Sequence, residues 1–292
     1  LIITNNQNLP LPIYKAILND AYKQVGDITT TSLIKPIRAR ILEKRHDNEI
    51  KADASDMIYA LLGQTLHAIL ERAGESVDWY IVEERYAVKI AGWVLTGQMD
   101  SAQVFFPALS TLYDYKLTSY WVEIFGSKTE YEQQCNINRY LMERNTQYRI
   151  TNAEIIAIYR DWSKRQAARN KDYPQKQVKA FPQKLWSIQD THGWIENRIK
   201  EIQRCENLPD DKLPYCTEQE RWAKPTKYAV MKKGRKPALR VLDSEDKAQK
   251  MAQDKGKGCY VEIRPSESVR CMDYCYVAPF CNQWREIQEK AK

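Results

Sequence analysis

The segment Leu95–Ser119, LTGQMDSAQVFFPALSTLYDYKLTS, constrains the fold more than any other stretch. Asp100 falls in one expected strand, and Asp114 and Lys116 fall in the next. Across Tyr113–Leu117 alternate residues share a face, so Asp114 and Lys116 project to the same side, about 7 Å apart along the strand. Aspartate and lysine are poor strand formers, and a purely structural strand seldom sets them side by side. Asp-x-Lys is nevertheless a common tripeptide, and a surface hairpin with unrelated charges accounts for it equally well. A site for phosphodiester hydrolysis gives both residues a role. Asp100 and Asp114 would hold a hard divalent cation, and Lys116 would orient the attacking water and offset the charge on a pentacovalent phosphate.

The 292 residues can hold one large core, or a core with a smaller module. Lys and Arg number 45 against 38 Asp and Glu, a net charge of +7 that suits a polyanionic partner or serves solubility. Eight Trp and eighteen Tyr supply core and rim, with some able to stack on bases. No run approaches the roughly 18 apolar residues of a membrane helix, and no basic-then-apolar leader opens the sequence. The expectation is a cytoplasmic protein without a membrane partner. There, seven cysteines read as metal ligands rather than disulfides.

Residues 1–27 read as an extended arm with a short helix over Ile13–Tyr22. In Ile28–Asn48, Thr31 or Ser32 caps a helix LIKPIRARILEKRH with Pro36 near its first turn. Its Arg38, Arg40, Lys44 and Arg45 either touch a phosphate backbone or are solvated. Ala54–Ala73 is a helix with an apolar stripe of Met57 or Ile58, Leu62, Leu66, Ile69 and Ala73, ended by Gly74. Gly63 and His67, four apart, stack on one face beside that stripe. A helical glycine costs about 1 kcal/mol, which close approach of a backbone or a ligand would compensate. His67 above such a gap is either a metal or phosphate ligand or the partner of a carboxylate. Alternation through 79–90 puts Glu84 on the apolar side, where it meets a cation or reaches water from an edge strand. Gly97, three residues before Asp100, admits close packing.

Gly63-x-x-x-His67, Gly97-x-x-Asp100, Asp114-x-Lys116 and a following helix with Gln134 resemble, in order and spacing, the RecB-type branch of the PD-(D/E)XK nuclease superfamily. The resemblance spans residues 28–205 and is closest to exonuclease-like members carried by bacteriophages. It implies an α/β fold in which a central mixed sheet flanked by helices forms a restriction-endonuclease-like core. It also implies a Mg²⁺- or Mn²⁺-dependent deoxyribonuclease, an exonuclease of phage or mobile-element replication or recombination. The setting would be a bacterial or phage-infected cell, with DNA as substrate and recombination or replication proteins as possible partners. His67, Asp100, Asp114 and the backbone carbonyl of Tyr115 would bind the metal, with Lys116 catalytic and Glu84 and Gln134 in the same site. One departure stands out: the family has tyrosine four residues after the glutamine, whereas here Asn138 follows Gln134 and Tyr140 lies two further on. A non-catalytic DNA-binding or protein-interaction module that keeps the fold is the alternative.

Beyond the Gln134 helix, 153–161 reads as a strand, followed by a basic stretch with Arg165 that either lines a DNA groove or faces solvent. Val178–Trp186 contains an edge strand, and His192–Cys205 is a helix with Ile195, Ile199 and Ile202 inward. A composition shift at 206–214 opens a module over 206–292. In it Lys232, Lys233, Arg235 and Lys236 crown a hairpin that either holds nucleic acid or is solvated. Cys216, Cys271, Cys275 and Cys281 bracket the module and can clasp its end around a [4Fe–4S] cluster or, alternatively, Zn²⁺. Cys205 or Cys259 could replace Cys216. Some RecB-type nucleases resemble this in ending with an iron–sulfur cysteine cluster, which favours [4Fe–4S].

Overall fold

A computed structural model describes residues 1–19, 25–105, 110–126 and 128–290. The end of the helix expected over Ile13–Tyr22 lies outside these residues; Leu11–Leu18 is helical. The fold is mixed α/β, with several sheets flanked by helices. It divides into two compact units, residues 1–35 with 51–206, and residues 36–50 with 207–292.

In the first unit the central element is a strand–helix–strand crossover. Ser110–Thr118 runs parallel to Ile150–Tyr159, with the helix Thr129–Asn145 between them. A parallel pair needs such a crossover, which covers one face of the sheet. Antiparallel partners complete a five-stranded mixed sheet: Val178–Pro182 on one edge, then Ser101–Gln103 and Tyr80–Val82 on the other side. The edge position suits Pro182, which has no ladder donor. Inside, Met99, Ala102, Leu112, Cys135, Met142, Ile150 and Ile155 form one apolar cluster. The helix Ile188–Glu206 buries Ile195, Ile199 and Ile202 completely, as its periodicity requires.

The hairpin before Asp114 belongs to two sheets. Arg85–Ile90 and Trp93–Gln98 pair across a tight turn at Ala91 and Gly92, both at positive φ (48° and 83°). They join Ile28–Thr29 in a separate three-stranded sheet. The strands expected to run unbroken through 79–90 and 93–102 therefore bend at Glu83 and at Met99–Asp100, where the chain passes between sheets. Backbone bonds from Glu83 N to Asp100 O (3.1 Å) and from Met99 N to Glu84 O (3.0 Å) hold the two bends together.

Gly97 sits where this hairpin meets the crossover helix. A methyl group there would lie 2.5 Å from Thr30 Oγ1, 2.6 Å from Leu141 Cδ1 and 2.7 Å from Asn138 Oδ1. Asn138 itself accepts from Thr30 Oγ1 (3.0 Å), so the contact cannot be relieved without losing a buried hydrogen bond. Gly97→Ala should cost about 1–3 kcal/mol in urea unfolding; wild-type stability would show that the contact yields freely.

Several expectations are corrected. Pro36 does not sit in the first turn of one long helix; it separates Thr30–Ile34, capped by Thr29, from Ile37–Arg45. The second of these helices groups with 207–292, so the core is not a continuous 28–205. The cause is Arg38, only 1% exposed. Its guanidinium donates to the carbonyls of Pro214 (3.1 Å) and Leu213 and to Asn282 Oδ1, and it lies over the Tyr215 ring. The stripe of Ile58–Gly74 is not buried: Leu62 and Ile69 are 45% and 49% exposed. The N-terminal arm is paired, with Ile2–Thr4 parallel to Lys51–Asp53. Among the described residues no helix is long and apolar enough to cross a membrane.

The second unit contains an antiparallel sheet with Lys227–Lys232 in the middle, flanked by Arg240–Leu242 and Cys259–Arg264. The helix Glu245–Asp254 packs Ala248 and Ala252 against Val230. Asn282–Lys290 is the last helix.

Candidate functional site

Along Ser110–Thr118 the burial alternates through Ser110, Leu112 and Asp114, and the pleat carries Lys116 on the same face. Asp114 is 2% exposed. Lys116 Nζ lies 2.6 Å from Asp114 Oδ2, yet neither carboxylate oxygen accepts a well-directed hydrogen bond. Two buried acceptor oxygens without a directed donor are costly; the Lys116 ammonium offsets part of that cost, and a further cation would offset more.

The bends in the hairpin place two further carboxylates. Asp100 accepts from the backbone N–H of Tyr115 (2.7 Å). That bond ties the bend to the strand carrying Asp114. His67 Nδ1 lies 3.1 Å from Glu83 Oε1 and 3.6 Å from Asp100 Oδ1. His67, Glu83 and Asp100 bring their ligand atoms within 4.8 Å of one another, the one such trio among the described residues. Gln98 Nε2 donates to the other Glu83 oxygen (2.8 Å) and Arg85 Nη2 to Gln98 Oε1 (2.6 Å), so Glu83 is held from both sides.

Electrostatics follow from this crowding. Burial, and then repulsion from Asp114, push Asp100 up to about 7. Its hydrogen bond to Glu83 raises His67 against the opposing effect of burial. For Lys116 burial acts to lower the pKa, but Asp114 and Asp100 prevail and raise it.

His67, Glu83, Asp100 and Lys116 line a cleft of about 740 Å³ with Gly63, Gln64, Gln134 and Arg85, while Asp114 is buried behind that lining. Nothing lies within 4 Å of a methyl group built on Gly63. Of the two compensations open to a helical glycine, close approach of another backbone is therefore absent among the described residues, where the residue instead forms open cleft wall.

The structure thus brings together His67, Asp100, Asp114, Lys116 and Gln134, but not Glu84. Glu84 is exposed, and the adjacent Glu83 occupies the site. The reason is local: Glu83 has φ 50°, a left-handed residue that breaks the alternation between Tyr80–Val82 and Arg85–Ile90. Asn138, at the departure from the family pattern, bonds Thr30 and packs on Gly97. Tyr140 turns away to His192 (2.7 Å). Tyr131, one turn before Gln134, feels the charges of Lys116 and Asp114 instead, and burial raises its phenol. Sequence reasoning missed Glu83, Arg85 and Tyr131. The acidic pair Glu83–Glu84 was the available signal, since only one member could face inward.

Of the residues expected to hold nucleic acid, Arg38 is excluded by its burial and by the hydrogen bonds that occupy all three of its guanidinium nitrogens. Arg165, Lys232, Lys233, Arg235 and Lys236 are exposed. Among the cysteines, Cys205 is buried in the first unit and Cys135 in its core, while Cys259 packs against the second unit's apolar cluster. Cys216 is pushed up to about 12, by burial first and then by Glu220, Cys281, Cys271 and Cys275. Cys271 is pushed up to about 11 by burial, Cys275 and Cys281. The charges of Cys271, Cys275 and Cys281 thus bear on Cys216, but no three of these sulfurs fall within 4.8 Å of one another. Gln283 clamps the Cys216 backbone, accepting from its N–H and donating to its carbonyl, both at 2.8 Å.

Neither known family descriptions nor characterised proteins match this sequence. Among seven solved chains that match is one titled "Crystal structure of SSO0001". The similarity covers 68% of this chain and 86% of that one, at 14% identity and a TM-score of 0.47.

Proposed function

We propose that this protein is a divalent-metal-dependent deoxyribonuclease of the PD-(D/E)XK type, with the first unit as its restriction-endonuclease-like core. The observation that carries the reading is the convergence of His67, Glu83 and Asp100 beside a buried, undersatisfied Asp114 paired with Lys116. Carboxylate oxygens with one imidazole form a donor set that suits Mg²⁺ or Mn²⁺.

His67, Asp100 and Asp114, with Glu83 as an added candidate, would hold the cation, which supplies Lewis-acid polarisation of the phosphate and an acidified water. The N–H of Tyr115 faces Asp100, and in an extended strand the carbonyl of a residue projects to the same edge. The carbonyl of Tyr115 would then face the cation, which supports the expected backbone ligand. Lys116, held as an ammonium beside Asp114, would place its charge where the phosphorane oxygens become most negative. Gln98 and Arg85 fix Glu83, and the open wall at Gly63 leaves room for a nucleotide. In the second unit, Cys216, Cys271, Cys275 and Cys281 would carry a structural [4Fe–4S] cluster. Tetrahedral zinc draws sulfurs to under about 4 Å of one another, tighter than the spacing here.

A time course on end-labelled linear DNA and covalently closed circular DNA, with Mg²⁺ and with Mn²⁺, tests the reading. Exonuclease action gives mononucleotides or short products from linear DNA and spares the circle. No hydrolysis with either ion would leave the non-catalytic binding module as the better account. His67→Ala should raise the Mn²⁺ concentration for half-maximal activity by about tenfold or more with an unchanged circular dichroism spectrum. An unaltered metal requirement would make His67 merely the partner of Glu83.

A further inference from the structure

The net charge of the chain is not spread over its surface. Residues 223–264 hold twelve Lys and Arg against five Asp and Glu, and the other 250 residues hold 33 of each. All of the +7 therefore resides in the three-stranded sheet and helix of the second unit.

Within that sheet the charge is polarised again. At one end the cations are matched: Lys227 pairs with Asp243 and Arg264 with Glu262 (3.1 Å), and in the two-stranded sheet formed by the flanking residues Lys224 pairs with Glu267 (3.2 Å). At the other end two loops emerge together, because Lys232 stands opposite Cys259 and Lys233 N donates to Gly258 O (2.8 Å). One is the hairpin carrying Lys232, Lys233, Arg235 and Lys236; the other, after the helix, carries Lys255 and Lys257. All six are exposed, and none forms an ion pair among the described residues. Gly234 and Gly258, at φ 82° and 84°, let the two loops turn tightly enough to lie side by side.

We propose that this two-loop basic tip grips the sugar–phosphate backbone of a polynucleotide, holding the substrate by a surface on the second unit. The identity of the polyanion rests on the nuclease reading; the charge asymmetry does not. Unpaired lysines on flexible stems read phosphate rather than base edges, so the grip is sequence-independent. Tyr260, 49% exposed, lies one residue beyond the tip opposite Met231, on the sheet face away from the helix that packs Val230 and Val261. Its ring can stack on a base or sugar. A membrane is the poorer partner, since neither loop carries a large exposed apolar side chain among the described residues to insert into lipid.

The test uses the full chain and fluorescein-labelled single- and double-stranded oligonucleotides, with anisotropy read in EDTA so that binding is measured without turnover. The variant Lys233→Ala/Arg235→Ala/Lys236→Ala/Lys257→Ala should weaken binding at least about tenfold near 0.1 M salt and flatten the dependence of log Kd on log salt by about 3. A control of equal charge, Lys15→Ala/Lys51→Ala/Lys89→Ala/Lys184→Ala, should stay within about threefold of wild type, because these exposed lysines lie outside the tip. Lys233→Arg/Lys236→Arg/Lys257→Arg should keep the wild-type slope. Whichever oligonucleotide loses more affinity in the tip variant identifies the strand form held. An unchanged slope in the tip variant overturns the proposal. So does an equal loss in the control or the arginine variant, and so does wild-type protein that prefers phosphatidylglycerol vesicles to DNA. Hydrolysis of bis(p-nitrophenyl) phosphate with Mn²⁺ separates the two readings. Tip-dependent binding without hydrolysis of ester or DNA sinks the nuclease alone, and hydrolysis with tip-independent binding sinks the tip alone.

Discussion

Asp114→Asn and Lys116→Met are each expected to lower Mn²⁺-dependent DNA cleavage by at least about 100-fold while DNA binding stays within about threefold. Both substitutions nearly preserve volume, so the strand keeps its packing. Asp114 is 2% exposed in a cluster of buried neighbours, and truncation to alanine would add a cavity to the chemical effect. Asparagine removes the charge that a cation needs and weakens the hold on Lys116, whose Nζ lies 2.6 Å from Asp114 Oδ2. Methionine removes the ammonium and leaves Asp114 without its partner. The chemistry should therefore fail in two different ways. Loss of a ligand is partly rescued by raising Mn²⁺, whereas loss of the lysine charge is not. Cleavage within about threefold of wild type in either variant would remove the pair from the site, because a group that stabilises developing charge contributes far more than that.

What made this pair legible is the period of two, which needs no knowledge of the rest of the chain. Asp114 and Lys116 share a face wherever the strand lies, and burial through Leu112 and Asp114 follows that face. The helix 188–206 was legible for the same reason, its isoleucines falling at helical spacing. Glu83 was not legible. Reading inward and outward positions along 79–90 assumes an unbroken pleat, and a single left-handed residue at Glu83 breaks it locally, turning Glu83 into the site and Glu84 out while Tyr86 and Val88 keep their expected side. Glutamate gives no local warning of positive φ, as glycine would.

Arg38 shows a different limit. In sequence it is one of four cations on a short helix, indistinguishable from a solvated or phosphate-binding residue. Its acceptors are the carbonyls of Leu213 and Pro214 and the side chain of Asn282, between 175 and 244 residues away. Local pattern carries no information about such partners. The exposed Leu62 and Ile69 err in the opposite direction: an apolar stripe predicts a buried face but cannot say what covers it.

The largest effect on stability is expected at the cysteines. Cys275→Ser or Cys281→Ser should dismantle the C-terminal part of the second unit before the first unit unfolds. Limited proteolysis would show this as cutting within 207–292 that accelerates about tenfold or more, with the first unit still intact. The apolar cluster of the second unit belongs to its sheet, where Val230, Ala248 and Ala252 are buried. The segment from Arg270 to Lys290 has little of its own, burying only Val277, Cys281 and Gln283. It is tied back by Gln283 on Cys216, Arg38 on Asn282, Tyr215 on Glu286, Arg270 on the Glu220 carbonyl, and the stacking of Phe280 on His46 at 4.1 Å. Those contacts are too few to offset the entropy of ordering the tail, at about 1–2 kcal/mol per residue. The proposed metal group on the four thiols would supply the difference. Burial pushes the Cys216 and Cys271 thiols up to about 12 and about 11, so binding must release protons and should weaken as pH falls. Anaerobically purified protein should be brown and carry about four iron atoms per chain, and either serine variant should bleach it. One zinc and no iron would keep the clasp and replace the cluster. Protein with neither metal, and with a tail as protease-resistant as the rest of the chain, would show that these contacts suffice.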